Sequence, residues 1–440
     1  MFRQKARYST AALGLALSLG AATVILAQDG TPAYRNKRVV YVETNNPEAG
    51  QNAILAFRRE TNGQLTQLPG SPYRTGGTGV RDATFSLATF ANDTPVIANR
   101  QRTLLFAVNE GSNSIAVFRI GGDGGLQDVA GSPFPSGGFQ PVSLGLVGDV
   151  LTVANKNGDP AQASVEANAQ PNYTTFRVGR DGALLPTGST VTATASPSQA
   201  IAIPQSEYRD LGAFGYDRER GGDDLGFVFG ADFAGGRLQS FEVGRSGNLV
   251  QNQPQALPAQ LFAGKTFLGG PAPPFPLGLA IHPRFPILYV GLVTVNQIGV
   301  YVFGTEGKLD FVDAASNPAP TNCWLLINKA ATRMYAVDTL TNQLTTFDIG
   351  TDPLVPTALA VTTLRGTGRS FELALSDDDR YLYVISQQGD ATGSVRDNTL
   401  HVLQVSDDGN SLSEIQTLSL SSFLSGTAPG GIRWQGVVAF

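Results

Sequence analysis

Short apolar stretches with the period of β-strands recur along the chain. A typical copy has an apolar strand with Tyr, Phe or a β-branched residue, a polar turn, an alternating strand of the type I-x-V-F-x-I, and then Gly and Leu. The clearest copies begin at Leu104, Ile287 and Arg333, and four weaker copies begin at Val39, Val150, Phe227 and Tyr381. Alternation of apolar and polar positions is typical of half-buried strands. The pattern therefore predicts seven copies of one β unit.

The spacing of these copies indicates propeller blades. Successive copies are separated by 65, 46, 77, 60, 46 and 48 residues. A four-stranded blade takes about 40 to 50 residues, so the longer separations leave room for insertions. Most copies follow another apolar strand, which we interpret as the innermost strand of a blade; these begin at Pro141, Ser198, Leu277, Cys323 and Phe371. The predicted fold class is all-β, a seven-bladed β-propeller.

The two ends of the chain predict how the ring closes. The copy at Val39 has no inner strand before it, whereas an inner-type strand within residues 430–440 has no copy after it. Pairing the C-terminal strand with the first copy would complete the first blade and remove two free sheet edges. We therefore predict one propeller over residues 39–440, closed by its C-terminal strand.

The first residues differ from the repeats. Arg3, Lys5 and Arg7 precede an apolar stretch that ends in small residues at Ala27. This pattern predicts a signal peptide over residues 1–27, followed by a short N-terminal segment over residues 28–38. The mature chain would then be secreted or periplasmic and without a membrane span, since no other segment has about 18 consecutive apolar residues. An uncleaved anchor helix is the alternative.

Composition narrows the possible functions. Only 15% of the residues are charged, the formal net charge is −5, and no run of Lys or Arg occurs, so a nucleic-acid partner is not expected. The 51 Gly and 26 Pro residues fit many turns between short strands better than a helical bundle. No motif for a cofactor or a metal is found, and neither is expected. The charged insertion over residues 207–224 is predicted to be a loop over one face.

Three residues of chemical interest are predicted to be structural. Cys323 is the only cysteine and lies in an apolar strand, which favours a buried and unreactive thiol. His282 lies in a turn after an inner strand, and His401 lies in a third strand, away from the axis.

The repeats resemble those of the lactonase-type seven-bladed propellers, which include bacterial 6-phosphogluconolactonase and fungal muconate cycloisomerases. The shared features are the L-Y-V strand followed by Asn or Asp, the I-x-V-F strand, the G-x-L hairpin, and turns such as residues 376–380 and 281–283. The resemblance extends over residues 39–440 and implies a small-molecule ligand or a lactone as substrate. The family places site histidines where this chain has Pro276, Leu277, Ser198 and Gln199, so a general base is missing unless a carboxylate replaces it.

The starts of the inner strands supply the candidate site, because they converge on one mouth of the central channel. The candidates are Arg81, Asp82, Gln140, Ser198, Gln199, Phe275, Asn322, Arg369 and Arg433. Guanidinium groups favour an anionic or polyhydroxylated ligand. Alternatively, these side chains fill the channel and bond to one another.

Two classes of function follow from this site. As a lactonase, the protein would use Arg369, which best matches an arginine of the family, and Arg81 to stabilise an oxyanion, while Asp82 or Glu372 activates water. As a non-catalytic extracellular or envelope scaffold, it would bind a partner protein through its loops. A lactone hydrolysis assay with Arg369→Ala separates the two.

Overall fold

The computed structural model describes residues 38–80, 93–158, 169–193, 195–208, 224–389, 395–424 and 432–440. The predicted signal peptide and most of the 207–224 insertion lie outside these residues. The described strands form eight antiparallel sheets, of which seven are the blades of a propeller and one is a two-stranded hairpin. Apolar side chains of the strands pack between neighbouring blades. The buried clusters of the core lie there.

The first four blades contain strands β1 to β18. Blade 1 has β1 (Val39–Glu43), β2 (Ala53–Arg59), β3 (Leu65–Gln67) and β4 (Tyr73–Arg74). Blade 2 has β5 (Val96–Ala98), β6 (Leu104–Asn109), β7 (Ser114–Ile120), β8 (Leu126–Asp128) and β9 (Phe134–Pro135). Blade 3 has β10 (Pro141–Val147), β11 (Val150–Asn155), β12 (Asn172–Val178) and β13 (Leu184–Thr192). Blade 4 has β14 (Ile201–Pro204), β15 (Asp224–Asp232), β16 (Arg237–Gly244), β17 (Leu249–Gln251) and β18 (Gln255–Ala256).

A small hairpin and three more blades follow. The hairpin is β19 (Thr266–Phe267) and β20 (Gly270–Pro271). Blade 5 has β21 (Pro276–Ile281), β22 (Ile287–Leu292), β23 (Gln297–Phe303) and β24 (Leu309–Ser316). Blade 6 has β25 (Asn322–Ile327), β26 (Arg333–Asp338), β27 (Gln343–Asp348) and β28 (Thr357–Thr363). Blade 7 has β29 (Arg369–Leu375), β30 (Tyr381–Gly389), β31 (Val395–Val405) and β32 (Leu412–Ser419), and β33 (Val437–Ala439) follows it.

Short 3₁₀ helices lie in the connections, at Glu110–Ser112, Gln205–Tyr208, Ala259–Leu261, Thr339–Thr341 and Leu420–Phe423. No helix in the described part of the chain is long and apolar enough to cross a membrane.

The C-terminal strand closes the ring. Val437 pairs with Val42 and Ala439 pairs with Val40, so β33 is the inner strand of blade 1. The inner strands β33, β5, β10, β14, β21, β25 and β29 contact one another in that order, and β29 contacts β33 again. The predicted all-β, seven-bladed propeller closed by its C-terminal strand is confirmed.

Sequence copies and blades coincide closely. The second strand of a blade begins at the predicted copy start in every blade but the fourth, where β15 begins at Asp224 and not at Phe227. The inner strand of blade 2, β5, has no counterpart among the inner strands named from sequence. We call the face where the inner strands begin the upper face, and the opposite face the lower face.

At four blade boundaries in the described part of the chain, neighbouring blades are joined by the same kind of hydrogen bond. A hydroxyl on a second or third strand donates to the carbonyl of the hairpin glycine in the next blade. The pairs are Tyr41 and Gly124 (2.7 Å), Thr175 and Gly247 (2.6 Å), Ser240 and Gly307 (2.5 Å), and Tyr335 and Gly409 (3.2 Å). At the two boundaries where the donor is Tyr41 or Tyr335, the L-Y-V-type strand and the G-x-L hairpin, two motifs of the repeat, meet across the blade boundary.

Candidate functional site at the propeller axis

Several inner strands carry a β-bulge near the upper face. The register shifts between Pro141 and Ser143, between Leu277 and Leu279, between Asn322 and Trp324, and between Ser370 and Leu373. A bulge inserts one extra residue and redirects the side chains around it. In blade 7 the bulge contains Phe371 and Glu372, so an apolar strand carries a carboxyl group at the axis.

Glu372 is the most unusual group in this region. It is 4% exposed, and its Oε1 has no hydrogen-bond partner among the described residues. Burial, together with the nearby charges of Asp93 and Glu43, raises the pKa of Glu372 well above its ordinary value, although a hydrogen bond from the Val437 amide opposes the rise. A buried carboxyl with one unsatisfied oxygen and a raised pKa is a stronger base than an ordinary glutamate.

The charges of three carboxyl groups, Asp93, Glu43 and Glu110, act on Glu372, and those of Asp93 and Glu43 act most strongly. Asp93, which precedes β5, is 6% exposed, and burial raises its pKa well above the ordinary value while the amides of Thr94 and Leu279 oppose the rise. Glu43, the last residue of β1, is 2% exposed and accepts a hydrogen bond from Asn52 Nδ2 at 2.7 Å. Burial also raises the pKa of Glu43. We call Glu43, Asp93 and Glu372 the carboxyl cluster.

The carboxyl cluster does not have the arrangement of a metal site. In the part of the chain that the structure describes, no group of three or more His, Cys, Asp or Glu side chains could hold a metal ion.

Side-chain hydrogen bonds fasten the inner strands to one another beside the cluster. Thr94 Oγ1 and Ser143 Oγ are 2.7 Å apart, and Ser143 Oγ accepts from the Ala200 amide at 2.9 Å. Gln199 Oε1 accepts from the Leu279 amide at 2.7 Å, and its Nε2 donates to the Leu279 carbonyl at 3.3 Å. These bonds join the inner strands of blades 2, 3, 4 and 5.

Four of the predicted ligand-binding residues are buried at the upper face. Gln140 accepts from the Gly158 amide at 2.7 Å, Asn322 donates to the Gln297 carbonyl at 2.7 Å, and Ser198 donates to the Ala231 carbonyl at 3.1 Å. Each of these three residues, and Gln199 as well, is 1% exposed or less. These four side chains make bonds that hold the strand starts in place. Gln140 Nε2 and Asn322 Oδ1 have no hydrogen-bond partner among the described residues.

The two described arginines of the predicted site have opposite environments. Arg369 opens β29 and is exposed to solvent. Arg433 lies just before β33, is fully buried, and donates from Nη1 to the Ile432 carbonyl at 3.0 Å. Of these two arginines, Arg369 is therefore the one that a ligand at the upper face can reach.

Arg81 and Asp82 lie outside the described residues. The residue before them, Val80, is held at the upper face, because Asn45 Nδ2 donates to its carbonyl at 2.8 Å and Asn45 Oδ1 accepts from its amide at 2.8 Å. Asn45 Nδ2 also donates to Gln435 Oε1 at 3.2 Å.

A cavity of about 370 Å³ occupies the channel below the carboxyl cluster. Asp93, Thr94 and Gln199 line its inner end, and Asn328 and Lys329 line its rim at the lower face. A second cavity of about 770 Å³ adjoins it and shares Ala202, Ile203 and Pro283. We call the cavity of 370 Å³ the lower cavity.

The histidines and the cysteine have structural environments. His282 Nδ1 accepts from the amides of Arg284 and Phe285 at 3.1 and 3.0 Å, and burial lowers the pKa of His282 to about 4. His401 Nδ1 lies 2.7 Å from Glu414 Oε1 between two outer strands. Cys323 is buried, as predicted, and burial raises the pKa of its thiol to about 12.

Sequence reasoning missed Asp93 and Glu43 for different reasons. Asp93 precedes a strand of only three residues that follows an insertion, so the start of blade 2 was placed at Arg81. Glu43 lies where other copies have the apolar residues Val108, Ala154 and Val337, and the next residue, Thr44, is the one that aligns with Asn109, Asn155 and Asp338. The carboxylate is therefore not part of the repeat pattern, and only its departure from an otherwise apolar position could have drawn attention to it.

Comparison with known proteins identifies the fold. No family profile and no curated protein matches this chain in sequence. A candidate 6-phosphogluconolactonase from Bacteroides fragilis is similar in structure, with a TM-score of 0.60 and 13% identity over 88% of this chain and 97% of that chain. For another from Bacteroides uniformis, the TM-score is 0.59 with 12% identity over 87% and 97%. For the periplasmic gluconolactonase of Pseudomonas aeruginosa, it is 0.58 with 16% identity over 87% and 96%. The resemblance to lactonase-type propellers is therefore confirmed at the level of the fold.

Proposed function

We propose that this propeller binds a small polyhydroxylated ligand at the upper mouth of its channel and hydrolyses a sugar-type lactone there. The observation that carries the proposal is Glu372, a buried carboxyl with an unsatisfied oxygen at the axis. The lactonases among the structural neighbours support the choice of substrate class. A neutral lactone fits better than an anionic one, because the carboxyl cluster would repel an anion.

Each residue has a defined part in the proposed reaction. The Glu372 carboxylate takes a proton from water, and the water oxygen attacks the lactone carbonyl carbon. The Arg369 guanidinium stabilises the oxyanion that forms. When the ring C–O bond breaks, the leaving oxygen takes a proton from Glu372, and the product is the open hydroxy acid.

The pH dependence of hydrolysis tests the role of Glu372. The base must be ionised, and its pKa is raised, so kcat/KM is expected to rise with pH through a pKa above that of an ordinary glutamate. Glu372→Gln removes the base and should lower kcat/KM by about 100-fold or more and remove this pH dependence.

Two further variants complete the assay. Arg369→Ala is expected to lower kcat/KM by about 100-fold, whereas Glu306→Gln, on an exposed outer hairpin, should leave it unchanged. Wild-type protein without lactonase activity, or activity that survives both Glu372→Gln and Arg369→Ala, would refute the catalytic proposal.

A non-catalytic binding or scaffold role is the second candidate. It is favoured by the hydrogen bonds of Ser198, Gln199 and Asn322 to the backbone, because side-chain atoms that make these bonds are less able to bind a substrate. In that case a polyol would bind without turnover, and binding would be weakened by Arg369→Ala.

Export to the periplasm or the medium is part of the same proposal. It rests on the signal-type pattern of residues 1–27. N-terminal sequencing of protein recovered from the periplasm and the medium tests it, with a new N-terminus after Ala27 as the expected result.

A further inference from the structure

The lower cavity has the size of a ligand site and opens on the face opposite the proposed lactone site. Its volume of about 370 Å³ lies within the range of about 300 to 1,000 Å³ that is usual for small-molecule pockets. Pro283, Asn328 and Lys329 belong to turns that follow inner strands, so the cavity opens at the lower face. Pro283 also lines the adjoining cavity of about 770 Å³.

Aliphatic side chains from different blades form the wall. Ile203 of blade 4, Ile281 of blade 5, Ile327 of blade 6 and Leu373 of blade 7 all line the lower cavity. Each is only half-buried, although each lies on an inner strand. Apolar surface left open to water in this way gains free energy when an apolar ligand covers it.

The polar groups of the lower cavity are at its two ends. At the inner end, Asp93 is more than nine-tenths buried, and burial raises its pKa, which favours the neutral acid. Gln199 beside it already bonds both backbone groups of Leu279. At the rim, Lys329 Nζ is 2.9 Å from the Asp377 carbonyl and also pairs with the Asp377 carboxylate. Asp377 thus holds the rim cation in place, and it also forms an ion pair with Arg102.

We propose that the lower cavity is a second ligand site, which binds a neutral amphipathic molecule with its aliphatic part against Ile203, Ile281 and Ile327 and its hydroxyl or carbonyl group on Asp93. A carboxylic acid can donate to a carbonyl oxygen and accept from a hydroxyl group. This site does not depend on lactone hydrolysis at the upper face.

Calorimetric titration of the full-length mature protein with 1-octanol tests the proposal. One saturable site with a negative heat-capacity change is expected, because binding buries apolar surface. Glycerol, which has hydroxyl groups but no aliphatic chain, should not bind there.

Variants locate the site. Ile281→Asn places an amide in the wall and should weaken octanol binding at least tenfold. Val361→Asn makes the same kind of change on an exposed outer strand and should leave the affinity unchanged. Ile203→Ala only shortens a wall side chain and should weaken octanol binding severalfold. It replaces Ile281→Asn in the test if that variant does not fold.

Two results would overturn the proposal: no saturable binding of octanol up to its solubility limit, or equal affinity in the wild type and the folded wall variants. The Glu372→Gln variant is expected to bind octanol normally while it fails to hydrolyse lactones. Failure of the lactonase proposal would therefore leave octanol binding intact, and the two proposals are tested separately.

Discussion

Individual polar residues on the second strands show how burial changes their chemistry. Asp338, at the end of β26, accepts hydrogen bonds from Asn317 Nδ2 and Thr345 Oγ1, each at 2.6 Å, and is fully buried. Burial raises its pKa to about 7, although both hydrogen bonds oppose the rise. Asn109 and Asn155 occupy the same position in other blades and are likewise buried. The position requires a buried acceptor, which an amide supplies without an ionisation cost.

Asp338→Asn is therefore expected to stabilise the protein at alkaline pH. The unfolded pKa is near 3.8 and the folded pKa is near 7, so this carboxyl's contribution to the free energy of unfolding is complete below pH 3.8 and is lost as the pH rises to about 7. Relative to the wild type, Asp338→Asn should be close to neutral at pH 4 and more stable by at least about 1 kcal/mol at pH 8.

Thermal unfolding of the two proteins at both pH values measures this difference. The opposite effect of His282, whose lowered pKa adds stability that is lost as the pH falls from 6.5 to about 4, cancels in the comparison. Asp348→Asn is the control, since hydrogen bonds to Thr351 and Gly350 and the charge of Arg333 lower the pKa of Asp348, and this variant should lose stability at pH 8. A stability difference between Asp338→Asn and wild type that does not change with pH would contradict the assignment.

At the scale of the strand and hairpin, the repeat motifs join neighbouring blades. Gly124, in the hairpin between β7 and β8, has a φ of +89° and accepts the hydrogen bond of Tyr41 from the previous blade. A Cβ at this position would lie 2.7 Å from Val39 Cγ2. The glycine is needed both for its backbone conformation and for the close approach of two blades.

Gly124→Ala is expected to lower the free energy of unfolding by about 1 to 3 kcal/mol, because alanine is strained at this φ and collides with Val39. Gly122→Ala lies in the same hairpin, where a Cβ would meet no atom within 4 Å, and should change stability little. Denaturant unfolding of both variants provides the measurement. Equal stability of the two would show that the hairpin glycine does not position the blades.

At the scale of the whole molecule, the ring depends on a strand of three residues. β33 supplies the inner strand of blade 1, and Phe440 after it packs edge-to-face against Tyr41, with ring centroids 5.9 Å apart. The segment before β33 is also fastened, since Gln387 Nε2 donates to the Trp434 carbonyl at 2.8 Å. Blades 1, 2 and 7 therefore meet at the C-terminus of the chain.

Deletion of residues 437–440 should lower the free energy of unfolding by at least about 3 kcal/mol, the cost of losing a buried aromatic side chain alone, and should expose the edge of β1. Differential scanning calorimetry measures the loss. Val438→Thr, at a half-buried position of the same strand, is the control and should unfold near the wild-type temperature. An unchanged melting temperature after the deletion would mean that the ring is held closed elsewhere.

The sequence by itself determined the number of blades, the starts of most second strands and the closing strand. Each of these features follows from local alternation of apolar residues and from turn residues that repeat along the chain. It also indicated Glu372 and Arg369 as candidates, since both lie in a recognisable inner strand. It did not indicate Asp93, because a short strand after an insertion carries too few alternating positions to be recognised.

Only the tertiary structure decided which of these groups share an environment. Glu43, Asp93 and Glu372 come from three different blades. Burial raises the pKa of each, and the charges of Asp93 and Glu43 raise that of Glu372 further; both effects depend on distances through space that spacing along the chain does not set. The structure likewise assigned Ser198 and Gln199 to hydrogen bonds with the backbone, and it revealed a cavity at the lower face formed by the ends of four inner strands.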